Sequence, residues 1–179
     1  MTVTLESGAP LAVSLDALKA YLRITRDDED ALLESLIRTA TDAAERFIGQ
    51  VLVARAMDEM IDADGQWKRL GARPVSAITE VAGLATDGHT LALSAIAYAI
   101  DIDGNGDGWV RLTQPGAARR LRVTYRAGIA ETSAAVPEAI RHGIMRLAGE
   151  YHASREGLEP RPPASVAALW RPWRRMRLS

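Results

Sequence analysis

The stretch from Val13 to Leu52, VSLDALKAYLRITRDDEDALLESLIRTATDAAERFIGQVL, constrains the fold more than any other part of the chain. A short amphipathic segment runs into an acidic turn, Asp27-Asp28-Glu29-Asp30, and a long alanine-rich helix then closes at Gly49. Leu32, Leu33, Leu36, Ile37, Ala40, Ala44, Phe47 and Ile48 recur at three- and four-residue steps, which gathers them into one apolar stripe. Arg38, Asp42, Glu45 and Arg46 lie off the stripe, and Glu34–Arg38 and Asp42–Arg46 place acid before base four residues apart, the favourable order. Asp27 or Asp28 is expected to cap the helix by accepting a hydrogen bond from an unpaired backbone N–H, and Gly49 to end it in a left-handed conformation. Ser14 is expected to cap the shorter helix, whose Leu15, Leu18 and Leu22 share one side. The whole stretch holds neither His nor Cys, and its carboxylates lie where a helix start favours negative charge. It reads as an element of assembly, not of catalysis.

Beyond it the period changes. Val, Ile and Leu recur among Gly, Asp and Pro, and strand-like alternation predicts strands over 51–61, 66–70, 78–84, 91–92, 97–102, 109–112 and 121–125. Asp64-Gly65, Asp87-Gly88 and Gly104-Asn105-Gly106 mark the turns, since these residues tolerate positive φ. Leu121, Val123 and Tyr125 alternate with Arg120, Arg122, Thr124 and Arg126, so one face should be buried and the other basic. Trp67 and Trp109 are expected to fill the sheet core. Pro137 then opens a third helix, with Ile140, Ile144, Leu147, Ala148 and Tyr151 as its stripe. Pro160, Pro162 and Pro163 break the chain before a last short helix over 164–170. The expected fold is α+β: mainly a helical bundle (helices 14–24, 28–49 and 137–156) carrying a small antiparallel β-rich insertion at 51–126. Residues 1–158 make one domain and 159–179 a C-terminal arm, at least partly dispensable for folding.

Several chemistries find no footing. The 179 residues include no Cys, which excludes a disulfide framework and thiol chemistry. No apolar run reaches the length of a membrane span. His89 sits in an expected turn, and His142 and His152 lie ten residues apart on one helix, too far along its axis to share a metal. No glycine-rich phosphate loop follows a strand, and no serine occupies a nucleophile elbow. Asp101-Ile-Asp103-Gly-Asn105-Gly106-Asp107 imitates the start of an EF-hand loop, but Leu112 replaces the twelfth-position Glu and the flanks alternate like strands. A hairpin turn explains the same residues without calcium. No catalytic residue, metal or cofactor is expected.

Charge is uneven: residues 1–64 carry 13 acids and 6 bases, 65–179 carry 10 acids and 16 bases. From Pro160 onward there is no acid, only Arg161, Arg171, Arg174, Arg175 and Arg177. Such asymmetry suits head-to-tail contacts between copies or docking on an acidic partner, although it also arises by chance.

The first stretch resembles the head–tail connector (adaptor) proteins of long-tailed phages and of the related gene transfer agents. The residues that carry it are Ser14-Leu15, Ala17, Lys19, Tyr21-Leu22-Arg23-Ile24, Asp28, Asp30, Leu33, Leu36-Ile37, Ala40, Ala43, Glu45 and Gly49. Val136-Pro137-Glu138-Ala139-Ile140-Arg141 through Tyr151 and Arg155 is similar to a later family segment. Pro162-Pro163-Ala164-Ser165-Val166-Ala167-Ala168-Leu169 with Arg174-Arg175-Met176-Arg177-Leu178 is similar to the family's ending, with Trp173 where a Tyr is common. The three pieces span nearly the whole chain in order. The resemblance implies a structural protein of the particle neck, assembled in the bacterial cytoplasm. It would be a monomer when free and a ring, with twelve subunits, once docked between the capsid portal and tail-side stopper or terminator proteins. DNA would pass non-specifically through the channel. Trp170, Arg171, Trp173, Arg174, Arg175, Arg177 and Leu178 would be the docking residues, since Trp and Arg anchor interfaces. The alternative is a small DNA-binding accessory protein using the arginine face of 121–126 and the C-terminal residues.

Overall fold

The computed structural model describes residues 9–114, 116, 118–154 and 162–175, together with the backbone of 2–5. The chain forms two compact units, one of residues 1–9 and 54–129, the other of 10–53 and 130–179.

The helical unit is built on α1 (Leu15–Leu22), α2 (Asp30–Ile48), α3 (Glu138–Ala153) and α4 (Ala164–Trp170). Ser14 caps α1 as expected, its Oγ accepting from the Ala17 N–H at 3.2 Å. The expected cap of α2 is not there. Its N-cap is Glu29, without a side-chain cap bond, because the Asp27 and Asp30 carboxylates turn instead to the Lys19 ammonium at 2.5 and 2.7 Å. A charge-assisted contact outweighs a neutral N–H donor. Gly49 ends α2 at φ +75°, its N–H donating to the Glu45 carbonyl. Leu33, Ile37, Ala40, Thr41, Ala44 and Ile48 are buried, but Leu32 is exposed and Leu36 and Phe47 are half-buried, so the stripe is narrower than its sequence spacing suggests. Ile140, Ile144, Leu147 and Ala148 of α3, Leu18 of α1, and Val166 and Trp170 of α4 complete this core.

The second unit corrects the expected fold class. The chain is 35% helix and 27% strand, with two antiparallel sheets, one curled into a half-barrel; it is not mainly a helical bundle. One sheet runs β1 (Thr2–Leu5), β2 (Arg55–Asp62), β8 (Arg120–Ala127), β4 (Val75–Leu84) and β5 (Thr90–Leu91), in that order. The other runs β3 (Lys68–Arg69), β7 (Gly108–Leu112) and β6 (Tyr98–Ile102). The short helix-free stretches between turns looked like an insertion, but non-local pairing makes them a unit with its own core. That core holds Met57, Ile61, Val81, Leu121, Val123 and Tyr125 from alternate positions of the larger sheet, with Leu70, Val110 and Leu112. Strand β1 carries only four residues of alternation and pairs with β2 from far away in sequence, so nothing local announces it.

A polar hub lies in this apolar core. Glu59 is fully buried; its Oε2 accepts from the Tyr125 hydroxyl and from the Gly71 N–H, both at 2.8 Å, while the Tyr125 oxygen accepts from the Ala72 N–H at 3.1 Å. The pair thus ties the turn after β3 to the sheet. Burial, reinforced by the Glu59 carboxylate, holds the Tyr125 phenol far above the ordinary tyrosine range.

Candidate assembly surface

In the helical unit, the C-terminal segment separates into a buried and an exposed part. Trp170 ends α4 at 0% exposure, and its indole Nε1 donates to the Ile140 carbonyl at 3.2 Å. Gly143 makes the seat: a Cβ there would stand 2.3 Å from the indole nitrogen. The Phe47 ring lies 5.9 Å away, centroid to centroid. Trp170 is therefore core, not a surface anchor, and the expectation that the segment can be spared for folding does not extend to it.

A 3₁₀ turn over Arg171–Trp173 then brings the chain back across the end of α2. The Arg175 N–H donates to the Ile48 carbonyl at 3.0 Å, and Gln50 Nε2 donates to the Trp173 carbonyl at 2.9 Å. The first uses a carbonyl at the end of α2, where carbonyls lack intrahelical partners. The Arg174 guanidinium stacks 5.5 Å above the Phe47 ring. Pinned in this way, Arg171, Trp173 and Arg174 face outward, Trp173 at 40% exposure, with Arg175 half-buried beside them. Cations here also complement the negative end of the α2 dipole. Arg177 and Leu178 lie outside the described residues. A patch of indole and guanidinium groups is suited to anchoring a partner.

The arginine face of β8 is less basic than its sequence. Neighbouring strands place Asp58, Asp62 and Glu80 in register beside Thr124, Arg120 and Thr124 again. The Thr124 hydroxyl donates to Asp58 at 2.6 Å, and Arg122 approaches Glu80 at 3.9 Å. A face on which acids alternate with arginines across the strands offers little net attraction to phosphates.

The calcium-like loop is the turn of the β6–β7 hairpin. Asp103 accepts from the Asn105 and Asp107 N–H groups and from Trp109 Nε1, and Asp107 meets Arg73 at 3.4 Å, so these carboxylates already have partners. The three histidines are dispersed: His142 packs edge-on against Tyr21, His152 contacts Glu29 at 3.1 Å, and His89 is exposed in a turn near Asp87. Trp67, expected in the core, is 41% exposed beneath the Arg111 guanidinium, because it lies in the loop just before the edge strand β3. Sequence reasoning missed Glu59; an acid at an inward position of an alternating strand was the one available signal.

Comparison with known proteins joins these features. Residues 12–85 match the model of a family described as phage gp6-like head-tail connector protein. No curated protein matches. Among solved structures, the chain is similar to a subunit from the neck of an empty gene transfer agent particle computed with C6 symmetry, at 22% identity and TM-score 0.79. It is also similar to one from the virion of a native gene transfer agent particle, at 21% identity and TM-score 0.78. A third, from the neck of the native particle computed with C12 symmetry, matches at 23% identity and TM-score 0.72. All three alignments cover 100% of this chain and 98% of the other. The resemblance read from the sequence is thus borne out, and the fold is shared from end to end.

Proposed function

We propose that this chain, whose residues 12–85 carry the phage gp6-like head–tail connector signature, is a structural connector in the neck of a tailed particle. The observation that carries the reading is end-to-end sharing of a fold with subunits of gene transfer agent necks. Copies of the chain form a closed ring of twelve; the six- and twelve-fold symmetries of the matching necks support that number. The free chain is a monomer, and the ring forms on the portal of the filled head, leaving a channel for DNA. The work is assembly: no reaction is assigned to any residue.

The patch of Arg171, Trp173, Arg174 and Arg175, which Arg177 and Leu178 follow in sequence, is the surface that docks on the portal or on a tail-side protein. Its composition of indole and guanidinium groups, held beside the end of α2 by the bonds of Arg175 to Ile48 and of Gln50 to Trp173, supports this. The alternative of a DNA-binding accessory protein finds no support in the comparisons, and the acids interleaved on the β8 face speak against it. The test is to locate the chain. An epitope tag on its N-terminus should be labelled at the junction of head and tail in purified particles; labelling on the capsid shell or the tail tip refutes the reading.

A further inference from the structure

The three-stranded sheet has two unlike edges, and its exposed one is poorly protected for an isolated molecule. Four of the seven large apolar side chains exposed among the described residues, Ile96, Ile100, Ile102 and Trp67, lie on or beside this sheet. Ile96, two residues before β6, is 72% exposed, and Ile100 and Ile102 within it are 47% and 39% exposed. Among the described residues β6 pairs with β7 alone. The Asp103 N–H donates to the Asp107 carbonyl, and the Ala97 carbonyl accepts from Thr113, so odd-numbered positions bond inward. Antiparallel alternation then turns the N–H and C=O groups of Tyr98, Ile100 and Ile102 outward. Edge strands of monomers are usually blunted by Lys, Pro or a bulge. β6, with the sequence YAIDI, has none of them.

The other edge is complementary. There β3 presents Arg69, exposed, next to Trp67 with Arg111 stacked 4.9 Å above its ring. Arg69 and Asp101 are both in register with Trp109, which puts them on the same face at the same level, one on each edge. Both β3 and β6 run antiparallel to β7 and hence parallel to one another. A copy displaced by a small rotation therefore offers its β3 edge to β6 in the same direction, with Arg69 meeting Asp101. Contact between two different patches is heterologous, and a heterologous contact closes into a ring when the rotation divides the circle.

We propose that the β6 edge is the contact between copies: the outward backbone groups of Ile100 and Ile102 in one copy meet the β3 edge of the next, and Asp101 pairs with its neighbour's Arg69 on the face that also carries Trp67. This deepens the ring reading above and rests on it. The occupant is a second copy of this chain, because the complementary groups are on the opposite edge of the same sheet.

The test uses the full chain in cells that make particles without their own copy. Ile100→Pro removes an outward N–H while leaving the ladder with β7 intact, so the purified variant should melt within a few degrees of the parent. Tail-bearing particles should nonetheless fall by roughly tenfold or more, as when a central anchor of an interface is lost. Asp101→Arg and Arg69→Glu should each reduce tail-bearing particles, and the two together in one chain should restore them. These are exposed positions, so the charge exchange decides the matter even if the proline variant does not fold. Unchanged particle numbers with Ile100→Lys, or a double exchange no better than its single parents, overturns the proposed contact while leaving a ring seen in images of the neck intact. Necks holding a single copy of the chain overturn the ring and the contact together.

Discussion

Trp170 is the residue whose replacement tests the C-terminal packing most sharply. A fully buried tryptophan replaced by alanine costs about 3–5 kcal/mol in lost burial and cavity formation. Loss of the hydrogen bond to the Ile140 carbonyl adds about 0.5–1.5 kcal/mol, and that carbonyl is spared the full penalty because α3 supplies it with a second donor. A total of about 3.5–6.5 kcal/mol consumes most of the stability of an ordinary domain. Gly143 sharpens the test. In the parent, Gly143→Ala drives a methyl group to within 2.3 Å of the indole nitrogen, a collision costing about 1–3 kcal/mol against a helix-propensity gain of about 1 kcal/mol. In the Trp170→Ala background the collision is gone and only the gain remains, so the same substitution should now stabilise. Denaturant melts of the four proteins, followed by circular dichroism, give the coupling, expected at about 1–3 kcal/mol. Equal effects of Gly143→Ala in both backgrounds, or a Trp170→Ala protein melting like the parent, would refute the packing. By the same reasoning a chain ending before Leu169 should fail to fold its helical unit, whereas one ending after Arg175 should fold.

Trp173→Ala with Arg171→Glu, both at the exposed patch, should change stability by less than about 1 kcal/mol yet lower the yield of tailed particles on complementation; full yield would remove the patch from docking. Tyr125→Phe leaves the buried Glu59 and the Ala72 N–H each short of a partner, and should cost about 1–3 kcal/mol in a urea melt. Because folding raises the Tyr125 pKa, its stabilising effect is complete below the ordinary value of 10.0 and declines above it; alkaline absorbance titration should show one fewer ionising tyrosine than in the unfolded chain. Hydrogen bonding and charge from Lys19 lower the Asp27 pKa below 3.8, so this contribution is complete above that pH and is lost as pH falls through the folded value. Carboxylate titration by NMR should place Asp27 below its value in a Lys19→Met variant, and an unchanged midpoint would discard the contact.

The helices were legible because their information is local. Stripe period, the Ser14 cap and the Gly49 terminus each lie within a few residues of what they specify. The missed cap at Asp27 shows the limit of that reading, since its competitor Lys19 stands eight residues away on another helix. The size of the β unit was underestimated for a related reason. Strands β2 and β8 pair across some sixty positions, as in Asp58 with Thr124, and no local pattern records that. The Trp and Arg composition of the C-terminal segment marked it for assembly, but composition does not say which indole turns inward. Only Gly143, opposite Trp170, separates it from Trp173, and a lone glycine within a helix does not announce what it accommodates.

The proposed role is that this chain joins heads to tails. Electron microscopy of particles from cells lacking it tests that most directly. Such cells should yield separate heads, with their connection vertex bare, and free tails, and complementation should restore joined particles carrying a ring of the chain at the neck. Normal numbers of tailed particles in its absence would show that it does not join heads to tails.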